Sequence, residues 1–304
     1  MNGLNGKWTM MVIGALLMGG CNRSGSENNF PDLPDDLSPG TFRVALQHDG
    51  TDREAVVYVP ESYDSTADAP LVLNFHGFGG IARYHMEDGD LRPQAENDGA
   101  ILVYGQGANL DGSPHWNAAL AGGDNKSSVD DFGYVQAILE NIQAAYPFNA
   151  SRVSAVGYSN GGMMALALAC YHSELIASAG SVSGAMLDMD CELSHPLSVI
   201  TVHGTEDDTI AYDGTGEYHS ATDVVDYWRQ ENATGGTEPV DFTDGGTTIR
   251  HFAFDGGTNG TAVHHYRVMG GEHIWLQFSA DGRASNDIVW DFLTADSVSG
   301  RIAN

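Results

Sequence analysis

Residues 152–169 constrain the possible folds of this chain more than any other segment, because an apolar run, a tight turn and a helix-forming run follow one another directly. The turn carries the pattern G-x-S-x-G, present as Gly157-Tyr158-Ser159-Asn160-Gly161. Glycines on both sides of a serine let the backbone turn tightly enough to hold its hydroxyl clear of a sheet, which is the geometry of a nucleophile elbow. Since the motif requires a strand before it and a helix after it, this context predicts that Ser159 is a nucleophile.

The rest of the chain alternates between apolar runs and segments with helical periodicity. Residues 71–75 and 101–104 are continuous apolar runs, typical of strands buried on both faces of a parallel sheet. A helix is expected between them over residues 86–97, and another should begin where Ser127 or Ser128 provides an N-cap. This alternation predicts an α/β fold with a mostly parallel, doubly wound sheet and helices on both faces. The 304 residues are 42% hydrophobic, which suits one α/β domain over residues 41–304.

Other strands and helices follow from the same patterns. Residues 41–47 and 54–59 flank an Asp-Gly turn and predict an edge hairpin. The remaining expected elements are strands over residues 179–182, 197–202, 247–254 and 262–268 and helices over residues 221–229 and 286–293.

The first 21 residues have the features of a signal peptide. Lys7 precedes an apolar run from Met10 to Met18, which is too short to span a bilayer, and two glycines follow it. Cys21 stands where a bacterial lipoprotein carries its lipid, although a plain secretory signal and a buried core segment are alternatives. We therefore expect export, membrane attachment only through a lipid anchor on Cys21, and a flexible linker over residues 22–40.

The chain is strongly acidic, with 41 Asp and Glu residues against 13 Lys and Arg residues and a formal net charge of −28. Nucleic-acid phosphates need a basic surface, so this composition argues against nucleic acid as a partner. The sequence has no H-E-x-x-H pattern and no cysteine pair at metal-ligand spacing, and the clusters at Asp111, Asp124 and Asp255 lack an EF-hand pattern. We therefore expect no metal and no other cofactor.

A nucleophilic serine needs a base to take its proton and an anion to orient that base. After a nucleophile elbow these partners follow in the order Asp or Glu, then His, each on a loop after a strand. Asp207 follows the strand predicted over residues 197–202, and His273 lies in a glycine-flanked loop after the strand over residues 262–268. The carboxyl ends of parallel strands would bring both side chains to Ser159. Asp208 is a competing candidate for the acid.

The tetrahedral intermediate of acyl transfer also needs backbone N–H donors. One is expected from Asn160, the residue after the nucleophile. The second is expected from the turn His76-Gly77-Phe78-Gly79, at Phe78.

Six short pieces of the chain occur in an order that resembles secreted hydrolases of the polyhydroxybutyrate depolymerase and feruloyl esterase type. They are His76-Gly77, Trp116-Asn117, Val129-Asp130-Asp131, Gly157-Tyr158-Ser159-Asn160-Gly161-Gly162-Met163-Met164-Ala165, His203-Gly204-Thr205-Glu206-Asp207 and Gly270-Gly271-Glu272-His273-Ile274-Trp275. The resemblance implies an α/β-hydrolase fold without a large lid domain, with Ser159, Asp207 and His273 as the catalytic residues. Two departures are Leu276, where the family often has proline, and Phe78, where several members have cysteine.

Cys170 and Cys191 are the two cysteines that remain if Cys21 is lipidated. An even pair in an exported chain favours a disulfide, and the alternative is two buried free thiols. Similar sequences often have cysteines at matching places.

These observations predict an exported serine esterase that forms an acyl-enzyme on Ser159. Hydroxyalkanoate oligomers or polymer are the first expected substrates, and feruloyl or acetyl esters on plant polysaccharide are the alternative. Trp116 and Trp275 are expected to offer flat apolar surfaces to the substrate, with His76 and Asn117 beside them. A non-catalytic surface binding protein on a hydrolase scaffold is the rival class, because a fold alone does not fix function.

Overall fold

The computed structural model describes residues 30–34, 36–120 and 127–302. The predicted signal peptide, Cys21 and the first part of the predicted linker lie outside these ranges. Within them, no helix is both long enough and apolar enough to cross a membrane.

The described residues form one large sheet of ten strands. The strands of the large sheet and of a small separate hairpin, β5 with β6, are β1 (Gly40–His48), β2 (Thr51–Val59), β3 (Leu71–Phe75), β4 (Ile101–Gly105), β5 (Ala108–Leu110), β6 (Ser113–His115), β7 (Val153–Tyr158), β8 (Ser178–Val182), β9 (Ser198–Gly204), β10 (Val240–Asp244), β11 (Thr247–Phe254) and β12 (Val263–Val268). Two further hairpins of two-residue strands pair β13 (Ser279–Ala280) with β14 (Arg283–Ala284) and β15 (Asp296–Ser297) with β16 (Gly300–Arg301). In the large sheet the strands lie in the order β1-β2-β4-β3-β7-β8-β9-β12-β11-β10. The six central strands of this order, β4-β3-β7-β8-β9-β12, are parallel to one another. The outer strands at both edges pair antiparallel.

Helices cover both faces of this sheet. They are α1 (Ala82–Asp88), α2 (Arg92–Asp98), α3 (Asp131–Ala145), α4 (Asn160–Tyr171), α5 (Ala221–Asn232) and α6 (Ser285–Thr294). Apolar side chains of α3, α4 and α5 share one core with Leu71, Leu73 and Phe75 of β3, whereas those of α1, α2 and α6 share the other core with Val72. This alternation of sides along β3 confirms the predicted doubly wound α/β fold, and no lid domain interrupts the part of the chain that the structure describes.

The helix predicted over residues 86–97 is wrong as a single element, because the chain forms α1 and α2 instead. Gly89 ends α1, where its N–H donates to the carbonyl of His85 at 2.8 Å. Pro93 lies in the first turn of α2, where its missing N–H removes no helical hydrogen bond. The predicted cap of α3 is also corrected: Asp130, not Ser127 or Ser128, accepts a hydrogen bond from the N–H of Gly133.

The described part of the predicted linker contacts the domain. Phe30 and Leu33 pack against the two cores, and the carbonyl of Pro31 accepts a hydrogen bond from the N–H of Arg43 at 2.7 Å. The hydroxyl of Tyr146 donates to the carbonyl of Ser38 at 2.7 Å. Two apolar side chains therefore anchor a segment whose polar composition predicted flexibility.

A disulfide joins Cys170, at the end of α4, to Cys191 in the segment between β8 and β9. This confirms the predicted pairing. In the chain-entropy description, closing a loop of this length stabilises the fold by about 3 kcal/mol.

Candidate active site

Four parallel strands deliver the predicted reactive groups to the same edge of the sheet. The turn at residues 76–80 follows β3, Ser159 follows β7, Asp207 follows β9, and His273 follows β12. These strands are neighbours or near neighbours in the sheet, so their carboxyl ends bring the loops together.

Ser159 lies at a sharp turn between β7 and α4, with φ of 55° and ψ of −120°. A non-glycine residue with this backbone conformation costs of the order of 1–3 kcal/mol and persists only where the surroundings impose it. The surroundings here are glycines: a Cβ on Gly157 would lie 2.3 Å from the carbonyl group of Gly161, and one on Gly161 would lie 2.1 Å from the carbonyl oxygen of Phe75. The elbow therefore depends on both glycines of the sequence motif.

Ser159, His273 and Asp207 form a continuous hydrogen-bonded chain. The Nε2 atom of His273 lies 2.9 Å from the Oγ atom of Ser159. The Nδ1 atom of the same ring lies 2.7 Å from Oδ2 of Asp207. A carboxylate can only accept, so Nδ1 carries the proton and Nε2 has a lone pair directed at the serine hydroxyl. This arrangement can remove a proton from Ser159 as it attacks an electrophile.

Asp207 is buried, but it accepts enough hydrogen bonds to remain ionised. Burial favours the neutral acid, but hydrogen bonds from His203, His273 and the N–H of Ile210 outweigh it and hold the pKa of Asp207 well below its usual range. The neighbouring Asp208 is exposed, and its carboxylate accepts from the hydroxyl of Thr209 at 3.3 Å. Of the two candidate acids, only Asp207 contacts His273.

Two residues that sequence reasoning missed support this chain. The ring of His203 lies with Nε2 3.3 Å from Oδ2 of Asp207 and 2.8 Å from the carbonyl of Ile210. The hydroxyl of Tyr158 donates to the carbonyl of His273 at 2.7 Å, and the two rings lie 5.1 Å apart. Both residues stand inside the motifs that carried the resemblance, so their positions in the sequence were the available signal.

The turn at residues 76–80 passes beside Ser159. A Cβ on Gly77 would lie 2.9 Å from the ring of Tyr158 and 3.3 Å from Cβ of Ser159. The N–H of Gly79 donates to the carbonyl of Pro114 at 2.7 Å, which fixes the far side of the turn. Phe78, at the apex, has a side chain that is 53% exposed. Asn160 is the first residue of α4, directly after the serine.

Two of the four predicted substrate contacts, Trp116 and Asn117, are corrected by the structure, because their exposed fractions are 0% and 4% and neither lines the cavity beside the triad. His76 is 1% exposed, but it forms part of the wall of that cavity. The indole of Trp116 fills the core between Phe75 and Tyr134. Its large apolar surface is more stable in that core than at the surface.

We use the name buried clamp for a cluster that consists of His76, Trp116, Asn117 and the side chain of Asn160. The indole N–H of Trp116 donates to the carbonyl of His76 at 3.0 Å. The Asn160 amide closes a two-way pair with the backbone of Trp116, at 2.7 and 2.9 Å. Asn117 donates from its side chain to the carbonyl of Val129 at 2.8 Å. The clamp thus ties the turn at residues 76–80 to the first turn of α4.

His76 and Asn117 extend the clamp into the protein. In His76, Nδ1–H donates to the carbonyl of Gly77 at 2.7 Å, and Nε2 accepts from the N–H of Gly107 at 3.0 Å. Burial lowers the pKa of His76 to about 4, so the ring is neutral at pH 7. The N–H of Asn117 donates to Asp131 at 2.7 Å, and this buried carboxylate also pairs with Arg53.

Trp275 is mostly buried, but it lines a cavity of about 510 Å³ next to the triad. The wall includes the residue before Ser159, the residue after His273 and the apex of the 76–80 turn. Side chains in this wall include Phe78, Tyr84, Asp88, Tyr158, Ile274 and Trp275. A larger cavity of about 770 Å³ lies along β1 and β2, and its wall contains neither a triad residue nor a direct sequence neighbour of one. Proximity to Ser159, rather than size, selects the smaller one as the candidate substrate cleft.

A nucleophile elbow with a serine, histidine and aspartate at the carboxyl edge of a mostly parallel sheet defines a serine hydrolase of the α/β-hydrolase fold. The chain belongs to the Esterase family, whose model matches residues 47–280. It is therefore a carboxylic ester hydrolase.

Individual relatives and solved structures agree with this class. Feruloyl esterase C of Emericella nidulans is 24% identical over 256 residues, which cover 80% of this chain and 91% of the relative. An acetyl xylan esterase from Aspergillus awamori superposes with a TM-score of 0.60 at 13% identity, covering 83% of this chain and 98% of the other. A ferulic acid esterase from Anaeromyces mucronatus gives a TM-score of 0.55 at 14% identity, with coverage of 88% and 96%.

Proposed function

We propose that the protein is an exported serine esterase that hydrolyses feruloyl or acetyl esters of plant polysaccharide through an acyl-enzyme on Ser159. The observation that carries this proposal is the hydrogen-bonded chain from Ser159 through His273 to Asp207. The similarity to feruloyl and acetyl xylan esterases supports the substrate class. Aromatic side chains in the adjoining cavity, from Phe78, Tyr84, Tyr158 and Trp275, suit a planar aromatic acyl group.

In the proposed reaction, Oγ of Ser159 attacks the ester carbonyl while Nε2 of His273 takes its proton. The N–H groups of Asn160 and Phe78 stabilise the resulting oxyanion. His273 then donates the proton to the departing alcohol, which leaves the acyl group on Ser159. Water attacks this acyl-enzyme with His273 as base, and the free acid and the serine are released. Asp207 holds the histidine tautomer and stabilises the imidazolium throughout.

Hydroxyalkanoate oligomers or polymer are the second candidate substrate. The observation that favours them is the apolar rim of the cavity, where Phe78 and Ile274 are 53% and 52% exposed. Such a rim suits contact with a water-insoluble polyester chain. A non-catalytic binding protein is disfavoured, because a complete triad on a strained turn has no role in binding alone.

Export is supported by the disulfide between Cys170 and Cys191, since such bonds persist in oxidising compartments. The signal peptide and the lipid anchor on Cys21 remain sequence predictions. Replacement of Cys21 by serine in the full chain should release the protein from the membrane fraction if the anchor exists, whereas unchanged fractionation favours a plain signal peptide.

The activity is tested first with p-nitrophenyl acetate and butyrate, with and without a serine-directed organophosphate. Hydrolysis that the organophosphate abolishes supports the esterase assignment, and a lack of hydrolysis contradicts it. A panel of methyl ferulate, acetylated xylan and hydroxybutyrate oligomers then ranks the substrate classes. Higher kcat/KM on the oligomers than on both plant esters would reverse the proposed order.

A further inference from the structure

We propose that Asp88 is a specificity-determining residue that selects against esters whose acyl group carries a carboxylate and that favours release of the acid product. The proposal rests on the proposed function, because it takes the cavity beside Ser159 as the substrate cleft. It concerns charge rather than shape, and it therefore applies to either candidate substrate class.

The position of Asp88 is the first observation. It is the last residue of α1, its side chain is exposed, and it lines the cavity of about 510 Å³ together with Tyr158 and Trp275. Its charge contributes to the raised pKa of Tyr158, after burial and Asp207, so its field reaches the residue next to the nucleophile.

Among the residues that the structure describes, no other side chain in the wall of this cavity carries a formal charge at neutral pH. The wall contains two histidines, His76 and His85, and burial lowers their pKa values to about 4 and about 3. The guanidinium of Arg83 stacks on the ring of Tyr84 at 4.9 Å, but Arg83 is not part of the wall. The cleft therefore presents a single negative charge to its occupant.

Asp88 is not explained by stability. A carboxylate at the C-terminal end of a helix is unfavourable, because the last carbonyl groups already carry partial negative charge. Within the described residues it forms no hydrogen bond and no ion pair that would offset this. A side chain that the helix does not favour, facing a cavity beside a nucleophile, is better explained by what enters the cavity.

The consequence follows from Coulomb's law. A carboxylate at the far end of an acyl chain that fills this cavity would lie near Asp88, where like charges in a partly solvated site weaken binding about threefold to tenfold. Hydrolysis places a second kind of carboxylate at Ser159, farther from Asp88, so a weaker repulsion of the same sign acts on the product but not on the neutral substrate. The cleft thus binds a neutral ester and weakens binding of the acid that it becomes.

The test compares two p-nitrophenyl esters with acyl chains of equal length, the neutral hexanoate and the anionic hydrogen adipate. The proposal expects a lower kcat/KM for the adipate than for the hexanoate in the wild-type chain. The gap, which is the ratio of the two kcat/KM values, should narrow about threefold to tenfold in Asp88→Asn. Inhibition by free hexanoate should strengthen in Asp88→Asn by a smaller factor, because its carboxylate lies at Ser159 rather than at the far end of the acyl chain. High salt should narrow the gap in the wild-type chain but not in the variant.

Glu87→Gln is the matched control, because Glu87 is the exposed neighbour on α1 and does not line the cavity. It removes the same charge and should leave the gap and the hexanoate inhibition unchanged. Circular dichroism and denaturation midpoints show that each of the three proteins is folded. An unchanged gap in Asp88→Asn, or an equal change in Glu87→Gln, overturns the proposal, whereas a wild-type chain that does not hydrolyse hexanoate overturns the proposed function itself.

Discussion

The catalytic triad and the buried clamp meet at consecutive residues, Ser159 and Asn160, and each contains a histidine near the carboxyl edge of the sheet. His273 contacts a serine hydroxyl through Nε2 and a carboxylate through Nδ1. His76 contacts a backbone carbonyl with one nitrogen and a backbone N–H with the other, in a site where it is 1% exposed.

The difference between the two histidines lies in their partners. The carboxylate of Asp207 can stabilise a positive charge on His273 when that ring takes a proton. His76 is buried and its partners are neutral, namely two backbone groups and the side-chain amide of Gln106, so protonation is opposed and its pKa falls to about 4. A histidine in a motif can thus act as a base when a carboxylate orients its ring. It is a fixed structural hydrogen-bonding group when neutral groups hold the ring.

The largest effect is expected from removing the nucleophile of the triad. Ser159→Ala should lower kcat on p-nitrophenyl butyrate by roughly 10⁶-fold, because only binding and the oxyanion donors remain. The free energy of unfolding should change by about 1 kcal/mol or less, since the substitution removes a single hydrogen bond and no apolar contact of the core. Steady-state kinetics and urea denaturation measure the two quantities, with exposed Ser65→Ala as the control. Substantial remaining turnover would contradict the role of Ser159.

The second change separates the two neighbouring carboxylates. Asp207→Asn should lower turnover by roughly 10⁴-fold, because an amide favours the wrong tautomer of His273 and cannot stabilise its charge. Asp208→Asn should change turnover by less than about twofold, since Asp208 is an exposed residue outside the triad. Both variants are assayed at neutral pH with circular dichroism as a check on folding. A large loss in Asp208→Asn with little loss in Asp207→Asn would reverse the assignment.

The sequence predicted the triad geometry and most of the sheet, but it did not separate the triad from the clamp. The elbow and its flanking strand and helix are encoded locally, because two glycines are required at fixed positions around Ser159. The order of strands then brings Asp207 and His273 to it. The clamp was misread because Trp116 stands in a motif just as the triad residues do, and its burial between β3 and α3 depends on contacts that no local pattern shows.

The third change tests whether the clamp acts on the site or only on the fold. Trp116→Ala should reduce the free energy of unfolding by about 3–5 kcal/mol, because it empties a fully buried site. It should also lower kcat about tenfold or more at temperatures where the variant is folded, because the carbonyl of His76 loses its hydrogen bond from the indole and the proposed oxyanion donors shift.

Trp228→Ala is the matched control for this variant, because Trp228 is also fully buried but lies on α5. It should lose a similar amount of stability and keep its kcat. Denaturation midpoints and kcat on p-nitrophenyl butyrate are measured on both proteins. If the two variants lose turnover equally, the clamp has no specific influence on catalysis.

The smallest expected effect is on the pH dependence of stability, and it tests the difference between the two histidines. His76 has a pKa of about 4 in the folded protein and about 6.5 when unfolded, so between these values the unfolded chain binds more protons. Its contribution to stability is therefore fully present above pH 6.5 and is lost as the pH falls towards 4, at up to about 1.4 kcal/mol per pH unit.

His76→Gln should reduce the slope of unfolding free energy against pH by about this amount between pH 6 and pH 5. Urea denaturation at several pH values measures the slope, which does not depend on the absolute stability of the variant. An equal slope in the wild-type protein and His76→Gln would show that His76 is not held neutral, and the distinction between a buried structural histidine and a working base would then fail.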